Sequence, residues 1–139
     1  MRVFLDANVL FSAAKSDDAV RALLAMALDR GHELHVDAFV IAEAQRNLAA
    51  KDRESLDAFE VLKSTLRVAA FVPVDSRVAT WVGWLPEKDQ PVLAAAIRLR
   101  CHALVTGDRK HFGAGYGKVF GGVLIHSPRS LAEQLMARV

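Results

Sequence analysis

Four acids stand where carboxylates could do chemistry: Asp6 in "FLDANVL", Glu43 in "VIAEAQRNL", Asp89 in "KDQPVLAAAI" and Asp108 in "LVTGD". Each also has an ordinary structural reading. Asp6 can form an Asx turn, Glu43 can lie on a solvated helix face, and Asp89 and Asp108 can cap helices. Convergence of all four would need explaining. At 4 Å two like charges repel by about 1 kcal/mol in water and by more near a protein, so gathered carboxylates call for a cation. A hard divalent ion, Mg²⁺ or Mn²⁺, suits such oxygen donors. Spacing alone leaves open whether the acids meet.

Cationic side chains lie close to these acids in sequence. Arg46 is three residues beyond Glu43 on one helix face, and Arg109 and Lys110 directly follow Asp108. They are candidates for phosphate contacts, and surface solvation is the commoner fate of such residues. Glu87 shares the loop of Asp89 and is a possible substitute or assisting ligand. The five histidines show no ligand spacing such as H-x-x-x-H and read as surface or strand-end residues. Trp81 and Trp84, three apart on one helix, read as core or as a dimer contact.

The elements that must position the acids follow from periodicity. Residues 3–5 are apolar and β-prone, as a strand covered on both faces would be. The segment "KSDDAVRALLAMALDRGHE" predicts a helix, with Ser16 as cap, Asp17 and Asp18 at the positive end of the dipole, and Gly31 as stop. A second strand is expected at 34–36, then a helix capped by Asp37, and another from about 53 to 66. "RVAAFVPV" predicts a third strand ending at Pro73, and Asp75 caps a further helix through Trp81 and Trp84. Residues 92–99 are helical, "HALVT" and "GVLIH" are strands, and a closing helix runs from Pro128 to Arg138. Strands alternating with helices predict an α/β sandwich around a mainly parallel sheet. In such sheets the site lies beyond the carboxyl ends of the strands, where strand order reverses. Asp6 and Asp108 each follow a strand directly.

Bulk properties narrow the classes. The 139 residues, 53% of them hydrophobic, are enough for one core, so a single domain over 1–139 is expected. With 18 Lys and Arg against 16 Asp and Glu, the net charge of +2 gives no global field for a polyanion, so nucleic-acid binding would rest on a local patch. The single cysteine, Cys101, gives no intramolecular disulfide, which suits a reducing compartment, and no run has the length of a membrane helix. A cytoplasmic location is expected.

"FLDANVLFSAA", "VIAEAQRNL" and "KDQPVLAAAIRLRCHALVTGDRKHF" resemble the successive motifs of the PIN domain, the nuclease fold of VapC-type toxins and related ribonucleases. The resemblance covers nearly the whole chain. It implies an α/β/α sandwich with a mainly parallel five-stranded sheet in the order 3-2-1-4-5. It also implies a metal site lined by Asp6, Glu43, Asp89 and Asp108, supported by Asn8 and Thr106. RNA as substrate, Mg²⁺ or Mn²⁺ as cofactor, a homodimer and a cognate antitoxin are implied in the same way. In that setting Asn8 would orient Asp6 without adding charge, and Thr106 would act on Asp108.

Two other readings compete. A phosphoryl-transfer phosphatase would want a second acid where Asn8 stands; a receiver domain would want an Asp after the third strand, for which "FVPVD" offers Asp75, and a Lys at the end of a later one, which "LVTGD" does not contain. A PIN-fold binding module without activity would differ in its acid set, which is intact here.

Overall fold

A computed structural model of the chain describes residues 1–15 and 18–137. The chain runs β1 (Arg2–Leu5), α1 (Ala7–Ala14), α2 (Asp18–Asp29), β2 (Glu33–Asp37), α3 (Ala38–Lys51), α4 (Leu56–Lys63) and β3 (Arg67–Ala69). It continues through α5 (Ser76–Val82), α6 (Gln90–Arg98), β4 (Ala103–Val105), α7 (Arg109–Phe112), β5 (Val119–Phe120), β6 (Val123–His126) and α8 (Pro128–Met136). Ser16, Asp17 and Arg138, which the sequence assigned to helix ends, lie outside the described residues.

The six strands among the described residues form one sheet in the order β3-β2-β1-β4-β6-β5. Every pairing is parallel except β5 with β6. Successive side chains of a strand point to opposite faces, and Val3, Phe4, Leu5, Ala103, Leu104 and Val105 are all buried, so both faces of the central strands are covered. The result is the expected α/β/α sandwich. The five parallel strands keep the expected order, and the structure adds a sixth.

That extra strand, β5, is antiparallel and closes on β6 through Gly121 and Gly122, both at positive φ. Such a two-residue turn matches the twist of a hairpin, and glycine adopts it without penalty. The third strand is shorter than "RVAAFVPV" suggests. Its partner β2 gives way to α3 at Asp37, opposite Ala69, so residues beyond Ala69 have no neighbouring strand to pair with on that side.

Helix α1 was not evident in the sequence. It starts immediately after β1, with Asp6 as its N-cap: the carboxylate accepts from the Ala7 amide. Val9, Leu10, Ala13 and Ala14 are buried against α2, α3 and α4. The strand-to-helix turn therefore pivots on Asp6. Because β1 lies between β2 and β4, chain order reverses beside it, and the exits of β1 and β4 flank that point.

Candidate metal centre

At the switch point the end of β1 is tied to β4 and β4 to β6. The Asp6 amide donates to the Val105 carbonyl at 3.0 Å, and the Thr106 amide to the His126 carbonyl at 3.0 Å. Asp6 is 6% exposed and Thr106 fully buried, so their polar groups must find partners inside the protein. The Thr106 hydroxyl donates to Asp6 Oδ2 at 2.8 Å and accepts from the Asp108 amide at 3.1 Å. Thr106 thus acts on the carboxylate of Asp6 and on the backbone, rather than the carboxylate, of Asp108.

Asn8 completes this clamp. Its Nδ2 lies 3.2 Å from Asp6 Oδ2 and 3.3 Å from Thr106 Oγ1, while its Oδ1 accepts from the Gly107 amide at 2.8 Å. An aspartate here would place a second carboxylate against Asp6; an amide supplies a donor instead.

Burial pushes the Asp6 carboxyl up to about 6, with the bonds from Thr106 and Ala7 opposing it and the charges of Glu43 and Asp89 adding to it. Those two acids, from α3 and from the turn before α6, are thus electrostatic neighbours of Asp6. Burial likewise raises the Asp89 carboxyl, with Lys88 and His111 opposing and Asp108 adding to it. Of the two acids in that loop, Glu87 is exposed and Asp89 faces the cluster.

Asp108 caps α7, accepting the His111 amide on Oδ1 at 3.1 Å. The same helical turn brings the His111 ring back over the acids: Nδ1 is 2.9 Å from Asp108 Oδ2 and 3.0 Å from Asp89 Oδ2. Both neighbours are carboxylate oxygens, which assigns the hydrogen to Nδ1. It points to Asp108; Asp89 Oδ2 lies off that direction, is fully buried, and has no hydrogen-bond partner. One ligand atom each from Asp89, Asp108 and His111 lie within 4.8 Å of one another. A buried, unpartnered carboxylate oxygen among such donors fits a divalent cation.

His111, which the sequence marks only as a surface or strand-end residue, joins this group. Its signal was present in "DRKHF", because i and i+3 share a helix face, but α7 is a single short turn. The cationic candidates sit outside the cluster: Arg46 is exposed on α3, and Arg109 and Lys110 are exposed on α7. Arg109 lines a neighbouring cleft with Tyr116, Ser127 and Arg129, and the Tyr116 hydroxyl donates to the Thr106 carbonyl at 2.7 Å. Trp81 and Trp84 are both exposed, and Trp84 stacks on Phe120 at 4.8 Å and meets Phe112 edge-on.

Residues 2–110 match the family model of the PIN domain, so the chain belongs to the PIN-domain family, a family of nucleases. No curated protein matches the sequence. Among solved structures, VapBC2 from Rickettsia felis, bound to a DNA fragment from its promoter, is 18% identical, with a TM-score of 0.67 over 91% of this chain and 98% of the other. PAE2754 from Pyrobaculum aerophilum is 21% identical, with a TM-score of 0.66 over 99% and 96%. VapC20 from Mycobacterium tuberculosis, a toxin that cleaves the sarcin–ricin loop, is 13% identical, with a TM-score of 0.60 over 85% and 98%.

Proposed function

We propose that residues 1–139 form one PIN domain acting as a metal-dependent endoribonuclease, the toxin of a toxin–antitoxin pair, working in the cytoplasm. The observation that carries this reading is the meeting of Asp89 and Asp108 beside buried Asp6, with Asp89 Oδ2 buried and unpartnered. The toxin assignment leans on the fold shared with VapBC complexes and with a toxin that cleaves the sarcin–ricin loop. An antitoxin and a second copy of the chain are the corresponding partners. Among the described residues no helix is long and apolar enough to cross a membrane.

Asp6, Asp89 and Asp108 would hold Mg²⁺ or Mn²⁺, with Glu43 reaching the site from α3. When bound, the ion supplies an activated water and neutralises charge on the phosphoryl oxygens. The chain's own residues prepare for that. Thr106 and Asn8 fix the Asp6 carboxylate, leaving it little freedom to lose on binding. Glu43 would accept a proton from an attacking water, and the α7 cap engages Asp108 through Oδ1, leaving Oδ2 toward Asp89 and His111. Arg46, Arg109 and Lys110, on the two helices that border the cluster, are candidate contacts for RNA phosphates.

The test is cleavage of RNA by the purified chain with Mg²⁺ or Mn²⁺, with EDTA and Asp6→Asn as controls. Metal-dependent scission lost in both controls is the expected result. Failure of either ion to bind would overturn the mechanism, and ion binding without cleavage of any RNA would favour a PIN-fold binding module.

A further inference from the structure

We propose that His111 is a direct ligand of the bound ion, and that its imidazole makes this site favour Mn²⁺ over Mg²⁺ more strongly than carboxylates alone would. The inference rests on the metal-dependent reading above and specifies its donor set. An octahedral ion with bonds near 2.1 Å holds adjacent ligand atoms about 3 Å apart. His111 Nδ1 stands at 2.9 Å and 3.0 Å from the two carboxylate oxygens, two such edges sharing a corner.

A hydrogen bond accounts for only one of them. The single Nδ1 hydrogen is directed at Asp108 Oδ2, and Asp89 Oδ2, equally close, is left buried without a donor. An ion coordinated by all three atoms satisfies both oxygens. The Nδ1 lone pair then binds the ion, and the hydrogen it carried leaves to Nε2 or to solvent.

Local structure presets the ring. The His111 amide is anchored on Asp108 Oδ1, which ties the residue's backbone to the cap of α7, and the ring faces Asp108 Oδ2. The ring is only about one-fifth exposed, so its place against the acids is not that of a solvated surface histidine. Imidazole is a softer donor than carboxylate. It gains more from Mn²⁺ and later divalent metals than from Mg²⁺, which prefers oxygen. The other described histidines lie outside this group: His35 on Glu33, His102 on the Arg2 amide, His32 at the chain's amino group, and His126 on Ser130 through Nδ1, its Nε2 buried without a partner.

The experiment uses the full chain and Mn²⁺ alone, read by pulsed electron paramagnetic resonance. Modulation from a directly coordinated ¹⁴N nucleus is expected in the parent and absent in His111→Asp. Competition of Mg²⁺ against bound Mn²⁺ should show the preference for Mn²⁺ falling in that variant. Bound Mn²⁺ without nitrogen coupling in the parent would overturn the proposal, whatever the variant's folding. So would coupling that survives His111→Asp. Either result would leave the nuclease reading standing if RNA is still cut with Mn²⁺. Mn²⁺ binding that is absent, or indifferent to Asp89→Asn and Asp108→Asn, would remove both readings.

Discussion

Asp6 and Asp89 differ in how they are supported. Asp6 is buried but held by three donors, from Ala7, Thr106 and Asn8, whereas Asp89 has a buried oxygen with none. Removing a donor from the first should cost stability, and removing charge from the second should restore it. Thr106→Val keeps the shape and deletes the hydroxyl, so we expect a loss of about 1–3 kcal/mol in urea unfolding, with Thr106→Ser close to the parent. Asp89→Asn, by contrast, should unfold at the same temperature or higher in EDTA and lose the upward shift that Mn²⁺ gives the parent. A variant less stable than the parent in EDTA would mean that Asp89 is a structural acid. At this scale the sequence exposed the acids but not their surroundings. Asp108 and His111 are three apart, yet the contact of His111 with Asp89 joins α7 to the turn before α6, and no local periodicity reports it.

At the scale of elements, legibility followed how regular each pattern was. Strands buried on both faces and long amphipathic helices announced themselves in apolar runs and caps, as with Asp37 before α3. Helix α1 did not, because its apolar residues continue directly from β1 and Asp6 resembles a turn. The β5–β6 hairpin carried its signal in "VFGGVL", but two-residue strands hold too little alternation to register. Asp37 shows what a cap contributes here. It accepts from the Val40 amide at 3.0 Å and is nearly fully buried, and burial raises its carboxyl above the usual 3.8, with Arg98 and the helix amides opposing. A folded-state value above the unfolded one means stability that is full at low pH and lost as pH rises through the raised value. Asp37→Asn keeps the acceptor without the charge, so its stability relative to the parent should grow as pH rises from about 4 to 7. Asp37→Ala removes the acceptor and should cost about 0.5–2 kcal/mol at pH 7. Both follow from chemical unfolding across that range; an Asn variant that loses ground with rising pH would show that the Asp37 charge stabilises α3.

Considered as a whole, the molecule draws its site from distant parts of the chain: residue 6, the turn before α6, and the loop after β4 meet because β1 and β4 are neighbours at the switch point. The charge concentrated there links the folded state's stability to protons and, on the proposed function, to metal. Without metal, a carboxyl raised from 3.8 to about 6 at Asp6 favours the folded chain at low pH, and roughly 3 kcal/mol of that contribution is lost as pH rises through 6. An ion bound to the ionised acids acts in the opposite sense, since it competes with the proton. At a hundredfold excess over Kd it adds about 2.7 kcal/mol. The gap in unfolding free energy between Mn²⁺ and EDTA should therefore widen from pH 5 and level off above about pH 7. Repeating the measurement in His111→Asp leaves out any imidazole proton, so the widening that remains belongs to the carboxylates. Acids ionising in the ordinary range would already be fully charged at pH 5 and would give a flat gap. A flat gap in both proteins would show that Asp6 is not held near 6 and that the buried cluster carries no uncompensated charge for an ion to relieve.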